Sequence, residues 1–463
     1  LVINQRVKKI IKLLKGFFFF FTKEQSSAKK SIQPTIIPRS EHSISRSAIN
    51  RNAVKVLYRL HEAGYSAYLV GGCVRDLLFD RRPKDFDVAT DARPEEVRKL
   101  FKNCRLIGKR FRLAHIIFGK EIIEVATFRT HHEKATEQHD KSSQHGMILR
   151  DNVYGTIEDD VWRRDFTVNA LYYNIADYSV VDYVGGMQDI KDRVLRMIGD
   201  PEQRFIEDPV RLLRAVRFVG KLNLQINSEI EKLLYTHSRL LQNVSSARLF
   251  QEVLKLFQEG ATAKVFQLFE KYGMFEQLFP QTARVLNQPE TRKLLDAALT
   301  DADARVHEQK TISPAFLLAV FLWRPIVQQS LHFQAEKLPP YVALERALQN
   351  VLTEQIKQLS MPRVIGVSIR EIFMLQHHFN YRYGSRPYRT LEHPRFRAAY
   401  DLLLLRAKAG EPVAEVAQWW TAFYNGDHAQ REKLLKNDSR PTQAKKRRRP
   451  RKKRPVAAEN PQK

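Results

Sequence analysis

The first half of the chain, up to about residue 198, alternates short apolar runs with helical patterns. Four of the apolar runs are bounded by turn residues and are rich in β-branched or aromatic residues, as is typical of β-strands. Gly119-Lys120 predicts a hairpin turn between the last two runs, and Cys73–Phe79 after the first run predicts a helix. The four predicted strands are Ala67–Val70, Phe86–Ala89, Leu113–Phe118 and Ile122–Phe128.

Beyond about residue 200 the strand pattern disappears and helical patterns follow one another. In Asp208–Lys221 the apolar residues recur at the spacing of one helix face, and three arginines are displaced from that face. Further helices are predicted over Ser228–Gln242, Ala247–Glu259 and Ala263–Tyr272, with others to about Leu435. The pattern therefore predicts an α+β protein, in which a head with a small mixed β-sheet and flanking helices precedes an all-α remainder.

The charge of the chain is concentrated at its two ends. The formal net charge is +27; residues 1–40 hold nine Lys or Arg against one Glu, and residues 445–454 read KKRRRPRKKR. Such arms are expected to contact phosphate backbones or an anionic membrane surface, and the alternative is a disordered extension that only raises solubility. The RNA contacts predicted in the C-terminal arm are Arg447, Arg448, Arg449, Arg451, Lys452, Lys453 and Arg454.

The start of the chain, LVINQRVKKIIKLLKGFFFFF, combines an apolar run with several lysines. The run is too short to span a bilayer, and lysines interrupt it. Ile10, Leu14, Phe17 and Phe21 can share one helical face, which predicts a helix lying on a membrane surface. A poorly ordered tail is the alternative.

Cysteine and histidine usage gives no support to a disulfide framework or a zinc site. The chain has two cysteines, Cys73 and Cys104, which indicates a reduced, cytoplasmic protein. The polar stretch 131–146 contains four histidines without regular ligand spacing, so an exposed loop is favoured over a metal site. These histidines are His131, His132, His139 and His145.

Asp85-Phe86-Asp87 is the stretch that carries the most chemistry. Two aspartates two residues apart on a strand project from the same face, because side chains alternate with period two. Such a pair can hold two Mg²⁺ ions, which activate an attacking hydroxyl and stabilise the leaving oxygen of a phosphoryl displacement. The alternative is a solvated strand face without function.

Gly71-Gly72 precedes these aspartates and follows the first predicted strand. Glycines allow a tight turn and a close approach of backbone amides to phosphate, and a following helix presents its N-terminus to the same anion. A plain turn is the alternative for the glycines alone. The strand, the glycine pair, the helix and the aspartates together predict a nucleoside triphosphate site with a metal clamp.

The segments LVGGCVRDLL and RRPKDFDVAT resemble the class II nucleotidyltransferase superfamily, which contains CCA-adding enzymes and bacterial poly(A) polymerases. RRDFTVNALYY (163–173) resembles the motif that helps to hold the nucleotide sugar and contributes a third acidic residue, here Asp165. EDPVRLLRAVRF (207–218) resembles the motif that reads the incoming base, with Asp208 and Arg211 in the base-contacting places. YVGGMQDIKDRVLRMIGDP (183–201) fits the connection between head and neck.

Two further segments favour the poly(A) polymerase branch: LIGKRFRLAHIIFGKEIIEVATFR (106–129) and LRDNVYGTIEDD (149–160). The resemblance implies template-independent addition of AMP from ATP to RNA 3′ ends with release of pyrophosphate, in RNA processing and decay. It implies catalysis by Asp85, Asp87 and Asp165, with Mg²⁺ or Mn²⁺ on the first two. The implied nucleotide contacts are Gly71, Gly72, Arg75, Asp76, Arg164, Asn169, Asp208 and Arg211.

The resemblance also implies the organisation and the partners of the chain. RNA 3′ ends of messenger and small RNAs are the implied substrates, RNA-degradation proteins are implied partners, and the chain is expected to be a monomer. A cytoplasmic protein with contact to the inner membrane surface is expected. The predicted domains are a basic extension and linker (1–47), a catalytic head (48–198), a helical neck (199–260), an RNA-binding helical body (261–436) and a basic disordered tail (437–463).

Three questions stay open at the level of sequence. The residues alone indicate Glu124 as the third carboxylate of the metal site, whereas the resemblance indicates Asp165. Of the two, Asp165 is favoured. Arg75 and Asp76 either contact the nucleotide or form a structural pair that orients the glycine turn. The arginines of Asp208–Lys221 either read the base or form ion pairs on a solvated helix face.

Two rival functions remain. A CCA-adding tRNA nucleotidyltransferase shares the head and the base-reading motif. A non-catalytic RNA-binding regulator on the same scaffold is disfavoured, because a degenerate site is expected to lose its carboxylates.

Overall fold

The computed structural model describes residues 33–108, 112–130 and 153–437. The chain divides into two compact units, and the division falls between Leu240 and Leu241. The first unit contains the sheets with their helices, and the second unit is helical in the part that the structure describes. The architecture confirms the predicted α+β class.

An eight-stranded sheet forms the framework of the first unit. Its strand order is β1-β8-β7-β2-β3-β6-β5-β4, and every neighbouring pair is antiparallel except β3 and β6, which are parallel. The strands are β1 (Thr35–Ile37), β2 (Ala67–Val70), β3 (Asp87–Thr90), β4 (Cys104–Ile107), β5 (Leu113–Phe118), β6 (Glu121–Thr127), β7 (Leu171–Asn174) and β8 (Val180–Asp182). A short parallel pair, β9 (Val194–Leu195) and β10 (Gln225–Ile226), forms a second sheet.

Helices bury their apolar faces against this sheet. In α1, Ala53, Val56, Leu57 and Leu60 are buried at helical spacing, and the Asn50 side chain caps the helix by accepting hydrogen bonds from the amides of the first turn. The helices of the first unit are α1 (Arg51–Glu62), α2 (Gly72–Leu78), α3 (Pro94–Leu100), α4 (Ile157–Trp162), α5 (Gly186–Asp192), α6 (Pro201–Glu207), α7 (Val210–Leu222) and α8 (Ser228–His237).

Four strands of the sheet, β1, β4, β7 and β8, have no predicted counterpart, and the start of one predicted helix also differs. Residues 35–37 were assigned to the linker but form β1, whose Ile37 is buried and which pairs with β8. The helix predicted over Asp208–Lys221 begins two residues later, at Val210, because Pro209 disfavours a helical conformation at the residue before it. Asp208 has φ −146° and ψ 88° and lies at the junction of α6 and α7.

The second unit is held together by aromatic side chains. Phe321 on α14 lies 5.0 Å from Phe279 and 5.2 Å from Phe257, measured between ring centroids. Its helices are α9 (Ser246–Leu256), α10 (Thr262–Lys271), α11 (Met274–Leu278), α12 (Pro280–Ala283), α13 (Pro289–His307), α14 (Pro314–Ala335), α15 (Pro340–Gln358), α16 (Arg363–His378), α17 (Arg386–Leu391), α18 (Phe396–Lys408), α19 (Ala414–Asn425) and α20 (His428–Asn437). In the described ranges no helix has the length and apolar character required to cross a bilayer.

Several sequence predictions lie outside the described residues. They are the membrane-surface helix at the start of the chain, the four histidines of 131–146 and the basic residues of 445–454. The predicted limits of head, neck, body and tail stay predictions.

Candidate active site

Three polar side chains lie side by side across the sheet. The strand register pairs Asp87 on β3 with Glu124 on β6, and Glu124 with His115 on β5. Paired residues on neighbouring strands project from the same face, and Glu124 Oε2 lies 3.4 Å from His115 Nε2. All three side chains keep contact with solvent. Asp87, Glu124 and His115, here called the carboxylate row, are therefore accessible to a ligand on this face.

Asp85 lies just before β3, which corrects the prediction that both aspartates belong to one strand. The strand begins at Asp87, because its partner β2 ends at Val70 and the chain then turns into α2. Exposure still alternates through this segment, since Asp85 and Asp87 are exposed and Phe86 between them is buried. The two aspartates thus share the accessible side.

Negative charge accumulates around Asp87. Removal of surrounding water, and then repulsion by Glu124 and Asp85, raise the pKa of Asp87 to about 6, whereas Arg164 acts in the opposite direction. Ionisation of Asp87 places a further negative charge beside Glu124 and Asp85. A cation bound at this position would stabilise the ionised form of Asp87. No three His, Cys, Asp or Glu side chains of the described residues are gathered closely enough to hold a metal alone.

Gly71-Gly72 lies between two guanidinium groups. Gly71 has φ +74°, a backbone conformation that favours glycine. A Cβ atom on Gly71 would lie 3.4 Å from Arg164 Nη1, and one on Gly72 would lie 3.6 Å from Arg75 Nη2. The glycine turn and its two flanking arginines, here called the phosphate cradle, combine backbone amides with positive charge, as groups that bind phosphate do.

Arg75 is fixed by buried partners. Its Nε and Nη2 atoms donate to Asp76 Oδ1 at 2.8 and 2.6 Å, and its Nη1 donates to Asn169 Oδ1 at 2.6 Å. The Arg75 and Asp76 side chains are 5% and 12% exposed. The structure therefore contains the Arg75–Asp76 pair that sequence considerations gave as one of two possibilities, and this pair holds the guanidinium beside the glycine turn.

Asp165 belongs to a buried network and not to the carboxylate row. Its Oδ1 accepts hydrogen bonds from the Phe166 amide and from Asn169 Nδ2, and its Oδ2 accepts one from Arg214 Nε at 2.6 Å. Burial alone would raise the pKa of Asp165, but the charge of Arg214 and these hydrogen bonds lower it well below its usual range. Both oxygens are thus occupied by structural partners, unlike those of Glu124.

Arg164 is held by Asp160 and Tyr172. Asp160 Oδ2 accepts from Arg164 Nη2 and from the Tyr172 hydroxyl, both at 2.7 Å, and Asp160 Oδ1 accepts from Arg163 Nε at 2.7 Å. Asp160 is 1% exposed. Because Arg164 both borders Gly71 and acts electrostatically on Asp87, it connects the phosphate cradle with the carboxylate row.

Asp208 and Arg211 meet at the junction of α6 and α7. The Arg211 amide donates to the Asp208 carbonyl at 3.0 Å, and Arg211 Nη1 donates to Glu207 Oε2 at 3.1 Å and to the Arg204 carbonyl at 2.6 Å. Arg211 and Arg217 are each 7% exposed and therefore do not lie on a solvated face, whereas the ion-pair part of that alternative holds for Arg211, which pairs with Glu207. Arg214, the third arginine of that alternative, pairs with Asp165.

Sequence reasoning did not single out several residues around the candidate site: His115, Asp160, Tyr172, Arg204 and Glu207. Asp160 could have been found, because it precedes Arg164 by four residues and such pairs meet on one helix face. The Asp165–Arg214 pair joins residues 49 positions apart and leaves no local signal.

Three protein families match parts of the chain. Residues 67–196 match the Poly A polymerase head domain, residues 223–286 match the "probable RNA and SrmB- binding site of polymerase A", and residues 336–454 match the polymerase A arginine-rich C-terminus.

Relatives and solved structures resemble the chain over most of its length. Poly(A) polymerase I of Escherichia coli is 45% identical, covering 94% of this chain and 96% of the relative. The CCA-adding enzyme of Bacillus subtilis is 31% identical, covering 79% of this chain and 91% of the relative. The structure of a Thermotoga maritima CCA-adding enzyme complexed with tRNA shares the fold, with a TM-score of 0.53 and 20% identity over 87% of this chain and 85% of that chain.

Proposed function

Because the chain belongs to the poly(A) polymerase family, we infer that it adds AMP from ATP to RNA 3′ ends without a template. The similarity to Poly(A) polymerase I over nearly the whole length supports this function. The observation that carries it chemically is the accessible pair Asp87 and Glu124, which Arg164 connects to the glycine turn. A phosphate cradle next to clustered carboxylates is what transfer of a nucleotide requires.

We propose that Asp85 and Asp87 hold Mg²⁺ and that Glu124 is the third carboxylate of the site. Glu124 lies in register with Asp87 and its charge acts on it, whereas Asp165 is occupied by Arg214 and Asn169. When bound, the metal supplies positive charge that favours an ionised hydroxyl and the developing negative charge of phosphoryl transfer. Mn²⁺ can take the same oxygen ligands.

The triphosphate of ATP is proposed to lie along Gly71-Gly72 between Arg75 and Arg164. The RNA 3′-oxygen then forms a bond with the α-phosphorus, the bond from that phosphorus to the bridging oxygen breaks, pyrophosphate leaves with the electrons of that bond, and the proton of the hydroxyl passes to solvent. Both guanidinium groups are fixed by buried carboxylates before substrate arrives. At the glycine turn the protein therefore contributes to catalysis by positioning the triphosphate and stabilising its negative charge.

The base of the nucleotide is proposed to meet Asp208 and Arg211. A carboxylate offers acceptors and a guanidinium offers donors, so the two can read a base edge without a template strand. Glu207 and the Arg204 carbonyl orient Arg211. Arg204 also donates to the Arg163 carbonyl at 2.9 Å, which connects the base-reading junction to the segment that carries Arg164.

Primer extension on a short unstructured RNA, with Mg²⁺ and one nucleoside triphosphate at a time, tests this function. Long ladders with ATP alone are expected. The CCA-adding function is the second candidate, favoured by the similarity to CCA-adding enzymes. Addition of two cytidines and one adenosine to a truncated tRNA, without ladders on the unstructured RNA, would assign the chain to that branch and overturn the proposal.

Replacing Glu124 and replacing Asp165 should have different effects. Glu124→Gln is expected to slow AMP addition by about 10²-fold or more at unchanged thermal stability, because an exposed charge that acts in catalysis is removed. Asp165→Asn is expected to lower stability, because Arg214 loses its buried partner. Single-turnover rates and melting temperatures distinguish the two. A folded Asp165→Asn protein without activity, beside an active Glu124→Gln protein, would restore Asp165 as the third carboxylate.

The basic C-terminal segment is proposed to add affinity for RNA through its charge. Each phosphate contact on a single strand contributes about 0.7 to the slope of log affinity against log salt. Deleting residues 445–463 should therefore flatten the salt dependence of RNA binding. Anisotropy titrations of the full chain and the deletion at several salt concentrations measure the slope, and equal slopes would remove the segment from RNA binding.

The finer biological context also belongs to the proposal. We expect the enzyme to be cytoplasmic, since Cys73 and Cys104 are both free and buried. Its expected substrates are messenger and small RNAs. A role in RNA decay, contact with degradation proteins, a monomeric state and contact of the N-terminus with a membrane surface remain predictions from the sequence.

A further inference from the structure

A group of aromatic rings lies on the second unit, where α16 ends. Tyr341 on α15 contacts His377, with ring centroids 6.1 Å apart, and His377 contacts Tyr381 at 5.3 Å. The Tyr381 hydroxyl and His377 Nε2 are 2.9 Å apart, which fixes the tyrosine. Tyr383 continues the series, with its ring 6.4 Å from that of Tyr381 at an angle of 85°. These four rings and Arg386 are here called the aromatic cluster.

Arg386 lies against two of these rings. Its Cζ atom is 4.8 Å from the centroid of Tyr381 and 5.0 Å from that of Tyr383, and its Nη1 donates to the Tyr383 hydroxyl at 2.8 Å. The arginine is exposed, and it has no carboxylate partner among the described residues. A guanidinium stacked on two rings keeps its charge, and because Arg386 is exposed its remaining donors are accessible to solvent.

The surroundings of the cluster are positively charged. Residues 377–397 contain five arginines, three histidines and one glutamate. Arg382, Arg395 and Arg397 have acidic partners, whereas Arg386 and Arg389 have none in the described part of the chain. Burial, followed by the charges of His377, His393 and Arg386, lowers the pKa of His378, as expected where the potential is positive. The cluster therefore presents π-faces within a field that attracts anions.

We propose that the aromatic cluster binds single-stranded RNA, with a base stacked on its exposed rings and a backbone phosphate on Arg386. The inference deepens the proposed function, since it rests on RNA being the substrate. Tyr341 is 44% exposed, so a ring face is available to a base. Stacking on aromatic rings with a neighbouring cation is how proteins hold single strands without reading sequence.

An acidic peptide fits the cluster less well, because carboxylates gain from guanidinium groups but not from a series of tyrosine faces. Duplex RNA also fits less well, because its bases are stacked on each other and not free to lie on a ring. The site is consequently expected to prefer single strands over duplexes of the same charge.

Substitutions at Tyr383 test the stacking. Binding of a short fluorescein-labelled oligoadenylate to the full chain is measured by anisotropy, without ATP. Tyr383→Leu is expected to weaken binding about tenfold, and Tyr383→Phe, which keeps the ring, about twofold at most. Equal affinities of the Leu and Phe variants, both folded by circular dichroism, would overturn the proposal.

Arg386→Gln tests the phosphate contact. It should weaken binding several-fold and lower the salt slope by about 0.7. Lys357→Gln is the matched control, because it removes one charge from an exposed lysine that already pairs with Glu354 at 2.6 Å. If Arg386→Gln changes the affinity and the salt slope no more than Lys357→Gln does, Arg386 does not contact a phosphate of the RNA.

The alternative occupants are separate outcomes of the same titration. Displacement of the oligoadenylate by polyglutamate from the wild type but not from Tyr383→Leu would assign the cluster to acidic proteins and overturn the RNA proposal. Because binding is measured without ATP, its result does not depend on turnover. A wild type that binds RNA through the cluster but adds no AMP would contradict the proposed polymerase and leave this site in place.

Discussion

Asp87→Asn is expected to abolish AMP addition, with a fall of about 10³-fold or more in the single-turnover rate. The substitution removes one of the two carboxylates proposed to hold the metal, and electrostatic stabilisation of this kind supplies several kcal/mol to a transition state. A tenfold change in rate corresponds to about 1.4 kcal/mol. Primer extension with ATP and a rapid-quench measurement of the first addition give the rate. Asp85→Asn should behave similarly.

The stability of the Asp87→Asn protein should be unchanged or slightly higher. The pKa of Asp87 is raised to about 6 in the fold, so its ionisation at neutral pH destabilises the folded state relative to the unfolded chain. A neutral amide of the same shape removes the repulsion by Glu124 and Asp85. Asp91→Asn is the matched control, because Asp91 is an exposed aspartate just beyond the same strand that accepts a hydrogen bond from the Ser66 amide. A near-normal rate of AMP addition by Asp87→Asn would show that Asp87 does not hold the catalytic metal.

The activity of the wild type should also depend on pH with a definite sign. A protonated Asp87 cannot hold a cation, so activity should fall as the pH drops through about 6. Since a bound cation favours the ionised form, raising the Mg²⁺ concentration should move the midpoint to lower pH. Rates measured across pH at two Mg²⁺ concentrations check both statements, and a midpoint independent of Mg²⁺ would contradict them.

Local patterns in the sequence were sufficient for much of the sheet. The predicted strands at 67–70 and 113–118 agree with β2 and β5 residue for residue, because alternation and turn residues mark both ends of each run. β1, β4, β7 and β8 were not predicted; the three residues of β1, next to a proline, give too short a pattern. The helix predicted from Asp208 begins at Val210, because that prediction did not account for Pro209, which disfavours a helical conformation at the residue before it.

The pairing of charged groups was less predictable, because it depends on which strands become neighbours. The parallel pairing of β3 with β6 places Glu124 beside Asp87, and nothing near either residue specifies that register. The family resemblance directed attention to Asp165, whose segment borders the glycine turn through Arg164 and Asn169. There Asp165 positions Asn169 and Arg214, and Asn169 positions Arg75. A motif can therefore identify a site while the contacts decide which of its residues can reach a substrate.

Asp160→Asn should destabilise the first unit by about 3–5 kcal/mol, the usual cost of removing one member of a buried ion pair. The carboxylate is fully buried and accepts hydrogen bonds from Arg163, Arg164 and Tyr172. An amide retains the shape but leaves two guanidinium groups without their counter-charge. Glu158→Gln on the same helix is the matched control and should change stability by about 0.5 kcal/mol or less.

The pH dependence of this effect follows from the pKa of Asp160. Burial alone would raise that pKa, but the charges of Arg164 and Arg163 and the hydrogen bonds from Tyr172 and Arg164 lower it well below the ordinary value of 3.8. A carboxyl with a lowered folded pKa stabilises the fold above its unfolded pKa, and this contribution is lost as the pH falls below about 4. The difference between wild type and Asp160→Asn should therefore be full at neutral pH and shrink in acid.

Hydrogen exchange of β7 and α4 is the suitable measurement, because it reports opening of the first unit without requiring both units to unfold together. Exchange in Asp160→Asn should be faster by a factor of about 10² or more at neutral pH. Since Asp160 also holds Arg164 beside Gly71, the folded fraction should bind ATP more weakly than the wild type does. Unchanged exchange together with weakened ATP binding would show that Asp160 serves the phosphate cradle alone and not the stability of the fold.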